Sequence, residues 1–298
     1  MPEYQYVTYE EIDDGRIVRI LLNRPEARNA QNRGMLVELD AAFLRAEADD
    51  EARVVILGGA GPMFTSGHDL GSKVSVDEYA EHQSWKENGG TRKGAERLML
   101  QEWHHYFHNT RRWRDLRKIT IAQAHGPVYA AGLMLMWACD LIVAADDVVF
   151  ADVVGTRLGM CGVEYFGHPW EFGPRKAKEL LLTGDSLSVD EAHQLGMVSK
   201  VFPPDELAER TVEFARRIAE QPTMSALLIK EAVNQTVDNM GFYNSLNACF
   251  TLHELNHSHW AQVHENGYPV ALEEDGIPNW KQAPPVLPAV KDQVKAEG

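Results

Sequence analysis

Cysteine is scarce in this chain: Cys139, Cys161 and Cys249 are the only three in 298 residues, widely spaced and set among apolar neighbours. That pattern argues against a disulfide framework and points to buried free thiols in a reducing cytosol. Positive charge is also in short supply, with 29 Lys and Arg against 44 Asp and Glu and a net charge of −15. Such a surface repels phosphate backbones and anionic lipid, so no nucleic-acid partner is expected, and an anionic ligand needs a local positive site. No apolar run approaches the roughly 20 residues that span a bilayer. The opening MPEYQYVTYE has neither the basic nor the apolar region of a secretory signal. A cytoplasmic protein without a membrane span is the expectation.

What is present is an alternation of strand and helix signals. Residues 4–10 and 17–22 flank Asp13-Asp14-Gly15, which reads as a hairpin leading into Asn23-Arg24-Pro25. Between Asn32 and Asp49 the apolar residues Met35, Leu36, Leu39, Ala42, Phe43 and Ala46 recur at helical spacing, and residues 53–57 follow as a buried strand. A β-α-β unit with parallel pairing is therefore expected. Further strands are predicted over 119–124, 141–144 and 148–151, with an apolar helix over 131–138. Beyond Pro174 helices dominate, at 175–182, 189–195, 206–219, 224–237 and 242–260, interrupted by a strand at 198–202. The polar and aromatic segment 71–118 begins as a loop and turns helical around Ala95, and its length marks a lid or binding element. After Gly267 five prolines predict an extended arm.

Three segments in this order and spacing resemble the crotonase (enoyl-CoA hydratase/isomerase) superfamily. Asn23-Arg24-Pro25-Glu26-Ala27-Arg28-Asn29-Ala30 is similar to the family's N-R-P-x-x-x-N-A, and Phe64-Thr65-Ser66-Gly67-His68-Asp69-Leu70 to its F-x-x-G-x-D-L. The third is Ala124-His125-Gly126-Pro127-Val128-Tyr129-Ala130-Ala131-Gly132, followed by Ala138-Cys139-Asp140. The resemblance implies an α/β, ClpP/crotonase-like fold of repeated β-β-α units. It divides the chain into a core over 1–204, a helical oligomerising region over 205–266 and an arm over 267–298. A homotrimer or hexamer is implied. The partner is an acyl-CoA thioester, with coenzyme A present as part of the substrate and no permanently bound cofactor.

The residues suit that chemistry. Gly67 allows a sharp turn after a strand, and small residues open the helix at Ala131, so two main-chain amides are free to converge on one oxygen. By the resemblance these are the N–H groups of His68 and Ala131, which bind the thioester oxygen as it gains negative charge. It also places Ala27, Ala30, Ser66, Asp69 and Leu70 along the coenzyme A chain; Arg24 and Arg28 are open to two readings, local positive charge for its phosphates or solvated surface arginines.

The sequence departs from the family at the two glutamates of ordinary hydratases. Met134 falls at the first position and Val154 or Gly155 at the second, and none of these moves a proton. Glu164 is the first substitute acid or base, Asp152 the second. The His68 side chain is open to several roles, among them a hydrogen bond to Asp69. Loss of both glutamates also motivates an alternative, a catalytically silent subunit that binds CoA thioesters. A rival from another class is a zinc hydrolase built on His253-Glu254-x-x-His257, but no third ligand stands at an established spacing, and no metal is expected.

Overall fold

The computed structural model describes residues 4–157 and 162–263. β1 (Val7–Ile12) and β2 (Ile17–Leu22) pair antiparallel across a turn in which Asp13 and Asp14 both take left-handed backbone, at φ 53° and 55°. Short polar side chains tolerate that region best. The chain then winds into α1 (Arg33–Ala48), which buries the stripe Met35, Leu36, Leu39, Ala42, Phe43 and Ala46 and delivers β3 (Val54–Gly59) parallel to β2. β3 is buried at every residue, as expected of a strand covered on both faces.

The long segment before β4 (Ile119–Ala124) is helical over most of its length: α2 (Lys73–Glu81), α3 (Gly94–Glu102), a π-helical turn (Trp103–His108) and α4 (Asn109–Arg114). There follow β5 (Pro127–Tyr129), α5 (Ala131–Trp137), β6 (Leu141–Ala145), β7 (Val149–Ala151) and α6 (Val154–Arg157). After residue 161 come α7 (His168–Phe172), α8 (Pro174–Thr183), β8 (Leu187–Ser188), α9 (Val189–Gln194) and β9 (Lys200–Phe202). Three helices close the described chain: α10 (Leu207–Ala219), α11 (Thr223–Asn239) and α12 (Phe242–Val263). β5 and β8 have two or three residues each, too short to leave a periodicity in the sequence.

Six strands form one sheet in the order β1-β2-β3-β4-β6-β9, parallel from β2 onward, and β5-β7-β8 form a second. Because β2, β3 and β4 run the same way, the loops 23–32, 60–72 and 125–130 gather at one edge, where ligands of open α/β sheets bind. α10 lies against β2, β3, β4 and β6 and buries Leu207, Thr211, Val212, Ala215 and Ala219. The chain beyond 205 therefore starts by closing the core sheet.

α11 is amphipathic the wrong way round. Lys230 reaches inward to Asp140 and Asp238 to Arg114, while Met224, Leu228, Ile229, Val233 and Met240 are exposed. Among the described residues no helix is long and apolar enough to cross a membrane. Cys139 and Cys249 are free thiols, and burial pushes Cys139 up to about 12, which makes it inert. Cys161 and the proline-rich stretch from Gly267 lie outside the described residues.

Candidate active site

The first two motif loops are laced together by side chains. Asn29, fully buried and left-handed at φ 51°, accepts from the Arg24 amide and donates through Nδ2 to the carbonyls of Ala60, Met63 and Phe64. Arg24 donates to Ala30 O, Asn32 Oδ1 and Asp69 Oδ2 at 2.7, 3.0 and 2.9 Å. Asp69 in turn accepts from the amide and hydroxyl of Ser72. Burial pushes the Asp69 carboxyl up, but these donors outweigh it and hold it below its ordinary value.

Within this frame the chain at Gly67 pairs with Gln31. The Gln31 amide donates to Gly67 O and the Asp69 amide to Gln31 O, which makes a short parallel bridge centred on His68. In such a bridge the intervening N–H points to the opposite side. The segment on that side is 129–131: a Cβ added at Gly67 would stand 3.0 Å from Tyr129 O and 3.3 Å from Ala131 N. Ala131 opens α5, so its amide has no acceptor within the helix. Ala130 just before it is held at φ 50°, ψ −118° by its own amide bonding to Ala151 O, a strained backbone of the sort that persists where surroundings over-determine it.

The His68 imidazole forms an ion pair with the Glu164 carboxylate and stacks on Tyr106, ring centroids 4.2 Å apart. Burial disfavours the charged imidazole, but Glu164 outweighs it and raises His68 above its ordinary value. Glu164 is fixed from the other side, since Thr110 on α4 donates to its carbonyl at 2.8 Å. Burial pushes Tyr106 up to about 12, so the phenol keeps its proton. A cavity of about 10 Å³ lies here, lined by Gln31, Leu36, Tyr106, Thr110, Ala131 and Glu164 among others. That is room for about one water. The segment 71–118 thus supplies the ceiling of this space, through the π turn and α4.

Other sequence-derived residues are placed differently. Arg24 is 4% exposed and engaged by Asp69, Asn32 and Ala30, which corrects its assignment to coenzyme A phosphates. The Asp69 side chain is likewise turned inward. Arg28 is exposed, and Ala27, Ala30, Ser66 and Leu70 are half-buried along the same loops. Asp152, 3% exposed, accepts from the Val154 amide and pairs with His168 Nε2 at 2.8 Å. Both of its oxygens are engaged, and it stands apart from the His68–Glu164 pair as a buried partner of His168. Met134 is buried in the core and Val154-Gly155 open α6, so neither usual position offers a carboxylate. The sequence reasoning missed Tyr106 and Glu102, whose roles depend on packing between distant helices.

Arg24→Met leaves the Asp69 carboxylate buried without its counter-ion. We expect a loss of about 3–5 kcal/mol in denaturant unfolding. Arg45→Met, which breaks the exposed Arg45–Glu11 pair, should cost no more than about 1 kcal/mol.

The family profile described as enoyl-CoA hydratase/isomerase matches residues 13–283. EchA13 of Mycobacterium tuberculosis, named provisionally as an enoyl-CoA hydratase, is 64% identical over 98% of this chain and 93% of its own length. A 4-chlorobenzoyl coenzyme A dehalogenase of Arthrobacter is 31% identical over 85% of this chain and 87% of its own. The crystal structure of a probable enoyl-CoA hydratase from Mycobacterium smegmatis superposes with TM-score 0.78 at 42% identity, covering 89% of this chain and 99% of that one. The twin motif loops, the strand order and these similarities together make the chain a member of the enoyl-CoA hydratase/isomerase family, with the crotonase fold.

Proposed function

We propose that this protein processes an acyl-CoA thioester by lyase or isomerase chemistry through an enolate. The main-chain N–H groups of His68 and Ala131 hold the thioester oxygen, and the His68–Glu164 pair moves the proton at the α-carbon. The observation that carries this reading is the ion pair of His68 with Glu164, set beside the contact of Gly67 with the Ala131 amide. An acid/base pair at that place takes over what Met134 and Val154 or Gly155 cannot do. Arg28 supplies positive charge for coenzyme A phosphates, and the backbone at Ala27, Ala30, Ser66 and Leu70 lines the pantetheine arm.

The test is a panel of enoyl-, β-hydroxyacyl- and β-ketoacyl-CoA thioesters, together with saturated acyl-CoA in deuterated water. Turnover of at least one thioester, and deuterium entering the α-carbon, are the expected results. Tight binding with neither would replace this reading by the silent CoA-thioester-binding subunit.

A homotrimer or hexamer assembled through the exposed apolar face of α11 belongs to the same proposal. Ile229→Glu combined with Val233→Glu should yield monomers in sedimentation. An unchanged assembly would move the interface elsewhere.

A further inference from the structure

The H-E-x-x-H pattern in α12 lacks a third ligand in sequence, yet the fold provides one. His253 and His257 stand four residues apart on one helical face, with Nε2 atoms 2.7 Å from each other. Glu102, the last residue of α3, brings its carboxylate to 3.2 Å from His253 Nε2 and 3.8 Å from His257 Nε2. All three side chains are buried, and one donor atom from each falls within a sphere of contacts no wider than 4.8 Å. Glu254 is buried beside them, and its Oε1 has no hydrogen-bond donor.

We propose that Glu102, His253 and His257 form a binding site for one divalent cation of the zinc class, clamping α12 to α3. Two imidazoles and a carboxylate are a donor set that zinc takes, and ligands at about 2.0–2.1 Å from a tetrahedral ion lie about 3.3 Å apart. The separations of 2.7, 3.2 and 3.8 Å bracket that spacing, so small side-chain rotations suffice. Borderline nitrogen and oxygen ligands favour zinc, cobalt or nickel over magnesium or calcium. Binding that is confined to the folded chain also stabilises it by mass action.

The test uses the full chain, stripped by dialysis against a chelator and then titrated with Zn²⁺ by calorimetry and with Co²⁺ by visible absorption. We expect one cation per chain, a tetrahedral cobalt spectrum and a higher melting temperature on loading. Glu102→Gln and His253→Ala should each weaken binding at least 100-fold. The double variant His104→Ala with His108→Ala, on the π turn, should bind as the parent does. Glu102→Gln preserves side-chain volume, and circular dichroism checks that it folds. Failure to bind a stoichiometric cation overturns the proposal, as does equal binding by Glu102→Gln. In that case a proton shared between His253, His257 and Glu102 is what joins the helices.

Discussion

Glu164→Gln should lower turnover by about 100- to 10,000-fold, the range supplied by a positioned acid or base, while the Michaelis constant stays within a few-fold. The amide keeps the size of the carboxylate, and the anchor of this residue, Thr110 to its carbonyl, does not involve the side chain. What disappears is the charge facing His68. Burial then acts on that imidazole with only the weaker pull of Glu102 against it, and its folded pKa falls. If protonated His68 is the acid, the alkaline limb of the pH–rate profile in the parent marks its loss, and that limb moves to lower pH in the variant. Stability follows the same sign. The pair contributes most below the imidazole's unfolded pKa of about 6.5, and its contribution is lost as pH rises through the higher folded value. Parental turnover in Glu164→Gln would remove this residue from the mechanism.

Gly67→Ala is expected to abolish most activity by a different route. The new Cβ would sit 3.3 Å from the Ala131 nitrogen and 3.0 Å from Tyr129 O, on a backbone at φ 91°. It blocks the space between the two amides, and the loss of one such donor costs about 100- to 1,000-fold in rate. Strain alone lowers stability by about 1–3 kcal/mol. Gly196→Ala separates the two effects, because Gly196 has nearly the same φ of 87° and nothing within 4 Å of the added carbon. It should shift the melting temperature without reducing turnover. If both variants lose activity equally, the place of Gly67 in the site is refuted.

Much of this arrangement was legible before any coordinates. The apolar stripe of α1 and the continuous run in β3 follow from helical spacing and burial on both faces, and both stand where the residues put them. Glu164 was reachable only through the resemblance, because Gly162-Val163-Glu164-Tyr165 stands close to where some related isomerases carry an extra acid. The partner of His68 was not. Adjacent residues on an extended chain point to opposite sides, so His68 and Asp69 have no shared hydrogen bond. His68 meets Glu164 and Asp69 meets Arg24 instead. Arg24 misled for a related reason, since an arginine in a polar loop reads as solvated until the acid that buries it is known. Glu102 and His253 are paired across α3 and α12 by tertiary packing, at a separation that no local pattern encodes.

The π turn at Trp103–His108 sets which side chains look down on the site. Each such widening accommodates one residue more than an ordinary helix does over the same length. Deleting a residue there would restore 3.6 per turn and leave the two flanking helices in phase, so only the side chains inside the turn would change the direction they face. Tyr106 would then leave the face of His68 while Glu102 kept its place against α12. In this chain the identity of the aromatic lid is a matter of counting, and a relative one residue shorter at this point would meet the same substrate under a different roof.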